Sequence, residues 1–98
     1  MTPLESVDQF LDNTAQQRVE QLKDFLRIAS VSADSAYAAE MDKAARYVRD
    51  QMVDAGLIVE IVETDGFPIV FGSRTVSPDV PTVLVYGHYD VQPPDPLE

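Results

Sequence analysis

In the first half of the chain, apolar residues recur every three or four positions, which is typical of amphipathic helices. Thr2, Pro3 and Glu5 give a helix start, with a capping residue, a proline at the first helical position and an acid that completes a capping box. The apolar residues that follow are Leu4, Val7, Phe10 and Leu11. The pattern therefore predicts a helix that begins near residue 3.

A second capping-box match at Thr14-Ala15-Gln16-Gln17 precedes another apolar stripe. The stripe, which we expect to lie in the core, consists of Val19, Leu22, Phe25, Leu26 and Ala29. The two stretches fit either two short helices or one long helix that bends near Asn13.

A further helix is predicted from about Tyr37 to Ala55, because apolar residues again recur at helical spacing. Its expected buried face consists of Met41, Ala44, Ala45, Val48 and Met52. Asp42 lies four residues before Arg46, which favours an ion pair on the helix surface. Gly56 is placed to end the helix in a left-handed conformation.

The residues after this helix are rich in Ile and Val and predict a hairpin. One strand is expected from Leu57 to Glu63, a turn at Asp65-Gly66, and a return strand from Ile69 to Gly72.

A third strand is predicted from Val83 to Tyr86, after a turn at Ser77-Pro78-Asp79. This run is short, rich in β-branched residues and bounded by Pro81 and Gly87, which is typical of a strand buried on both faces. The order of elements favours an α/β domain whose helices pack on a mixed β-sheet.

Two polar residues, His88 and Asp90, follow the third predicted strand. If extended geometry continues past Gly87, they face the same side at the carboxyl end of the strand, where open α/β sheets bind ligands. A neutral imidazole ligates zinc, and a carboxylate that accepts the other ring N–H fixes the tautomer. Asp90 fits that role or direct ligation, since spacing does not decide. An isolated His-x-Asp is more often a loop histidine beside a turn residue.

Composition narrows the class of protein. Ninety-eight residues with 45% apolar content suffice for one small domain or one layer of a larger one. Cysteine is absent, which excludes disulfides and thiolate metal sites. Seventeen acids against seven bases give a net charge of −10, which argues against nucleic acid or an anionic membrane as partner. The lack of a signal-peptide pattern or a long apolar run fits a cytoplasmic protein.

The string from Val83 to Pro94 resembles the first metal-site motif of the M20 metallopeptidase family, which includes dipeptidases, glutamate carboxypeptidases, aminoacylases and deacetylases. Its form Tyr-Gly-His-Tyr-Asp-Val-Gln-Pro, followed by Asp95-Pro96-Leu97-Glu98, looks most like the carnosinase-type dipeptidase branch. Upstream, the resemblance continues through Phe25-Leu26-Arg27-Ile28-Ala29-Ser30-Val31-Ser32 and the helix that ends at Gly56. It therefore covers most of the chain.

This resemblance implies that residues 1–98 are the N-terminal portion of a single zinc-peptidase-like catalytic domain. It implies that His88 ligates one metal of a two-zinc site, with manganese or cobalt as other candidates. It implies that Asp90 is a catalytic-site residue that orients His88 and tunes the site. The family's remaining groups, a bridging Asp, a Glu pair, a further carboxylate and a His, are expected downstream. A loop comparable to Ser30–Ser35 borders the site in the family, although a plain connector is the simpler interpretation.

The expected reaction is metal-assisted hydrolysis of an amide bond in a small peptide or N-acyl amino acid. The remainder of the polypeptide would complete the site, and a homodimer of the full-length form is compatible with this. A catalytic zinc usually has three protein ligands, and the single His supplies only one. The spacing of Asp65 and Asp95 does not indicate that either is a further ligand. The 98-residue chain alone is therefore expected to be inactive. The alternative is a non-catalytic acidic binding or structural domain, or a truncated product that retains only the fold.

Overall fold

A computed structural model describes residues 1–94, and Asp95, with the three residues after it, lies outside the described part. Its helices are α1 (Pro3–Asn13), α2 (Ala15–Leu26) and α3 (Ala38–Asp54), with a short 3-10 turn at Ser35–Tyr37 before α3. Two strands, β1 (Ile58–Val62) and β2 (Ile69–Ser73), form an antiparallel sheet. The predicted α/β class is confirmed. Within residues 1–94 no helix has the length and apolar character needed to cross a bilayer.

The start of α1 has the predicted capping box. The Thr2 hydroxyl accepts a hydrogen bond from the Glu5 backbone N–H at 3.1 Å, and the Glu5 carboxylate accepts one from the Thr2 backbone N–H at 3.3 Å. These contacts satisfy amide groups that the first turn of a helix otherwise leaves without partners. The sequence signal at residues 2–5 is therefore confirmed.

The second predicted capping box, at Thr14, is wrong. The Thr14 hydroxyl donates to the Phe10 carbonyl oxygen at 2.7 Å and does not cap α2. Helical hydrogen bonds run through the junction, from Thr14 N to Phe10 O and from Arg18 N to Thr14 O. The structure thus combines the two predicted alternatives, because α1 and α2 are separate helices joined by continuous helical bonding.

The prediction that the α2 stripe lies in the core is wrong for most of its members. Val19, Leu22 and Leu26 are exposed, because no element within residues 1–94 covers them. Contact with α3 is made through Phe25, whose ring stacks on Tyr47 with a centroid separation of 5.6 Å. The Tyr47 hydroxyl also donates to the Gln21 carbonyl oxygen at 2.7 Å, which fixes α3 against the second half of α2.

The predicted buried face of α3 is confirmed. Met41, Ala44 and Ala45 are buried, and Val48 and Met52 are half-buried. This helix packs on both strands of the sheet. On its solvent side, Asp42 and Arg46 form the predicted ion pair at 2.9 Å.

The end of α3 depends on Gly56, which has a φ of +91°. Its N–H donates to the Val53 carbonyl oxygen at 2.9 Å, and the N–H of Leu57 donates to that of Met52 at 3.1 Å. This is a Schellman motif, which favours glycine because other residues are strained at such a φ. The predicted helix stop is confirmed, and it turns the chain into β1.

The hairpin of β1 and β2 agrees with the predicted strands to within one residue at each end. Ile58 is opposite Ser73, and Val62 is opposite Ile69. Alternate residues of each strand are half-buried, as expected when one face packs on a helix.

The third predicted strand, Val83 to Tyr86, is wrong for the described residues. The four residues belong to no strand, and their exposed fractions lie between 82% and 88%. A strand buried on both faces needs hydrogen-bonding neighbours and covering layers, and residues 1–94 provide neither for this run. His88 therefore follows an exposed apolar segment and not the end of a formed strand.

Candidate functional site

His88 and Asp90 lie in contact, as their two-residue spacing predicts. The Nδ1 atom of His88 is 2.8 Å from Oδ1 of Asp90 and 3.1 Å from the backbone carbonyl oxygen of the same residue. Since carboxylate and carbonyl oxygens only accept hydrogen bonds, the shared proton belongs to Nδ1. The neutral ring then carries an unprotonated Nε2, the nitrogen that is left to bind a cation.

The imidazole of His88 is accessible. Its side chain is 74% exposed, whereas that of Asp90 is 35% exposed. The ring is therefore not buried among aliphatic side chains, and its carboxylate partner is the more enclosed member of the pair. A metal or substrate can approach the ring within this structure.

The second carboxylate oxygen of Asp90 has a partner of its own. The Ser32 hydroxyl donates to Oδ2 at 2.5 Å, so the two oxygens bind two different side chains. The hydrogen bond from Ser32, followed by that from His88, lowers the pKa of the Asp90 carboxyl below its ordinary value, because both donors stabilise the charged form. An ionised Asp90 is the stronger acceptor for the Nδ1 proton.

Tyr89 lies between the two residues and anchors the site segment, residues 88–91, to the loop between β1 and β2. Its hydroxyl donates to the Pro68 carbonyl oxygen at 2.6 Å. Burial raises the pKa of Tyr89, and the charges of Asp90, Asp42 and Glu63 raise it further. The phenol therefore stays protonated and able to donate.

Val91 joins the end of the site segment to the loop Ser30–Ser35. Its N–H donates to the Ser30 carbonyl oxygen at 2.8 Å, and Val91 forms a parallel bridge with Val31. Ser30 and Val31 are both buried. Of the two interpretations of the loop Ser30–Ser35, the geometry favours the one in which it borders the site, since it lies directly beside the His88–Asp90 pair.

A complete metal centre is not formed by residues 1–94, where no group of three or more His, Cys, Asp or Glu side chains comes together. Asp65 therefore adds nothing to a ligand set, and Asp95 lies outside the described residues. A single imidazole with its second nitrogen bound to a carboxylate fits one ligand position of a zinc site. It does not by itself supply the three protein ligands of a catalytic zinc.

Sequence reasoning missed two residues that fix this arrangement, Ser32 and Tyr89. Ser32 lies 58 positions before Asp90, and no periodicity connects positions that far apart. For Tyr89 a weak signal exists, because strand-like alternation turns its side chain away from those of His88 and Asp90.

Comparison with known proteins identifies curated relatives. The chain is similar to the Cys-Gly metallodipeptidase DUG1 of Saccharomyces cerevisiae, with 31% identity over 103 residues that cover 92% of this chain and 21% of the relative. The Cys-Gly metallodipeptidase DUG1 of Candida albicans is 29% identical over 104 residues, which cover 93% of this chain and 21% of that protein. The chain thus spans about one fifth of the length of these relatives. No family model matches it, and no solved structure gives a significant match.

Proposed function

We propose that residues 1–98 are the N-terminal part of the catalytic domain of a metal-dependent peptide hydrolase of the M20 type, similar to its dipeptidases. The observation that carries the proposal is the 2.8 Å contact between His88 Nδ1 and Asp90 Oδ1, which leaves Nε2 as the ligating atom. Two relatives named metallodipeptidases align over more than nine tenths of the chain and support the same assignment.

In this proposal His88 is one ligand of a two-zinc site, and manganese or cobalt are the other candidate ions. When bound, the metal ions supply a water activated as nucleophile and polarise the scissile carbonyl group. His88 contributes a neutral nitrogen donor. Asp90 keeps the Nδ1 proton in place, which holds the ring in the tautomer that a metal needs and strengthens Nε2 as a donor.

The contacts of Asp90 support an orienting role over direct ligation. One carboxylate oxygen accepts from His88 and the other accepts from Ser32. A metal bound to Asp90 would compete with one of these two hydrogen bonds. Asp90 therefore acts on the metal through the imidazole.

We place the remaining ligands and the general base in polypeptide beyond Glu98, as the M20 resemblance implies. The exposed apolar run Val83 to Tyr86 supports this placement, because four consecutive apolar residues at this exposure are atypical of a folded surface. In a larger catalytic domain the same run has the composition of a central strand.

The proposed substrates are dipeptides or N-acyl amino acids, and the relatives' names single out Cys-Gly as the first dipeptide to assay. The proposed setting is the cytoplasm, with a homodimer as the candidate form of the full-length protein.

The test is to express the complete reading frame that contains this sequence and to assay it with zinc, manganese or cobalt. We expect hydrolysis of Cys-Gly, a second dipeptide or an N-acetyl amino acid, loss of activity in His88→Ala, and no turnover by the 98-residue chain. Asp8→Ala, which removes an exposed acid of α1, is the control and should retain activity.

Two results would contradict the proposal. One is robust turnover by the 98-residue chain, since residues 1–94 do not hold a complete ligand set. The other is an inactive complete polypeptide without the downstream carboxylates and His, which would favour the non-catalytic acidic domain.

A further inference from the structure

We infer that Ser32 is a positioning residue of the proposed metal centre, in which its hydroxyl fixes the Asp90 carboxylate so that the carboxylate in turn holds Nδ1 of His88. The inference rests on the proposed function and adds a residue from a different part of the chain to the His-x-Asp pair.

Three side chains form a continuous series of hydrogen bonds. Ser32 Oγ is 2.5 Å from Asp90 Oδ2, and Asp90 Oδ1 is 2.8 Å from His88 Nδ1. Each donor has an acceptor and each carboxylate oxygen has a separate donor. The series therefore ends at the imidazole with a defined proton position.

The second hydrogen bond matters because a carboxylate rotates easily. The terminal torsion of an aspartate side chain is broad, so a bond to one oxygen alone leaves the plane of the carboxylate poorly fixed. When Ser32 binds Oδ2, rotation would break two hydrogen bonds at once. Ser32 thus holds Oδ1 on the line to Nδ1.

The position of Ser32 is itself determined by the backbone. Ser30 is 1% exposed, its carbonyl oxygen accepts from the Val91 N–H at 2.8 Å, and Val31 forms a bridge with Val91. Backbone contacts therefore join Val31, the residue before Ser32, to Val91, the residue after Asp90.

A hydroxyl also suits this position chemically. It stabilises the ionised carboxylate by a charge-assisted hydrogen bond and adds no charge of its own. A lysine or arginine would neutralise Asp90 and weaken it as an acceptor for His88. Ser32 holds the carboxylate and leaves its charge available to the imidazole.

The first measurement uses the 98-residue chain, which has a single histidine, so all imidazole ¹⁵N signals come from His88. These signals report which ring nitrogen carries the proton in the neutral state. Ser32→Thr keeps a hydroxyl, and Ser32→Val has the shape of threonine but lacks the hydroxyl, so the two variants form a matched pair. Ser35→Ala is a control in the same loop. Far-ultraviolet circular dichroism verifies that each variant retains its helices.

In the wild type and in Ser32→Thr we expect the proton on Nδ1. In Ser32→Val we expect a larger share of the tautomer protonated on Nε2, and Ser35→Ala should match the wild type. In the complete polypeptide, Ser32→Val should weaken zinc binding about 3- to 10-fold, the size expected for the loss of one hydrogen bond, and Ser32→Thr should restore it.

Unchanged tautomer and zinc affinity in Ser32→Val, with both changed in Asp90→Ala, would overturn the inference and leave the proposed function intact. A wild-type ring protonated on Nε2 would also overturn it. A complete polypeptide that neither hydrolyses dipeptides nor needs His88 for zinc binding would refute the proposed function instead.

Discussion

The hydroxyl of Tyr89 donates a 2.6 Å hydrogen bond to the carbonyl oxygen of Pro68, so the residue between His88 and Asp90 ties the site segment to the loop between β1 and β2. Val91 ties the next position to Ser30. The pair is therefore held at the residue between its two members and at the residue that follows it, although the apolar run before it is exposed.

Tyr89→Phe should lower the free energy of unfolding by about 0.5–1.5 kcal/mol, because it removes one partly buried hydrogen bond and keeps the ring. Urea denaturation followed by circular dichroism measures the change. Tyr86→Phe is the matched control, since Tyr86 is exposed and its hydroxyl should contribute less than about 0.5 kcal/mol. Equal effects of the two substitutions would show that the contact with Pro68 does not stabilise the chain.

Asp90→Ala in the complete polypeptide should reduce metal affinity or activity about 10- to 100-fold, as expected for a carboxylate that orients a ligating histidine. Isothermal titration with zinc and a dipeptide assay measure the two quantities. A loss as large as that in His88→Ala would indicate that Asp90 ligates the metal directly. No change in either quantity would show that the orienting role is wrong.

Tyr47 gives the structure a pH dependence at its α2–α3 contact. Burial, followed by the charge of Asp24, raises the pKa of Tyr47 above its ordinary value. Because the folded state favours the protonated phenol, this stabilisation is complete below the pKa of the unfolded chain and is lost as the pH rises through the higher folded pKa. Absorbance at 295 nm should show two late-titrating tyrosines, Tyr47 and Tyr89, and Tyr47→Phe should remove one of them. Two late-titrating tyrosines in that variant would show that Tyr47 is not one of them.

Substitution in the exposed run Val83 to Tyr86 tests whether this run is a buried strand in the complete polypeptide. In the 98-residue chain, Val85→Thr should change the free energy of unfolding by less than about 0.5 kcal/mol, because Val85 is exposed. Met41→Ala, at a residue that is 2% exposed, should cost about 2–5 kcal/mol. In the complete polypeptide, Val85→Thr should become destabilising by more than about 1 kcal/mol if the run is a buried strand there. Tolerance of the substitution in both proteins would argue against that strand.

The sequence predicted well those elements whose signals are local. The capping box at Thr2, the buried face of α3 and the left-handed Gly56 each depend on residues within a few positions of one another. The contact of His88 with Asp90 belongs to the same class, because alternation along an extended chain brings residues two apart to one side.

The predictions that failed concern what lies opposite an apolar surface. The pattern in Val19, Leu22 and Leu26 and in Val83 to Tyr86 shows that these residues are suited to burial, but it carries no information about which element covers them. At Thr14, the hydroxyl binds the preceding turn of helix instead of capping the next one, a competition that a four-residue motif does not resolve. Ser32 was missed for the related reason that its partner lies far away along the chain.

Zinc anomalous diffraction from crystals of the complete polypeptide shows whether His88 binds the metal and through which ring nitrogen. We expect a zinc peak about 2.0–2.1 Å from Nε2 of His88, with the Asp90 carboxylate still bound to Nδ1. A zinc ion bound through Nδ1, or a zinc site without His88, would contradict it.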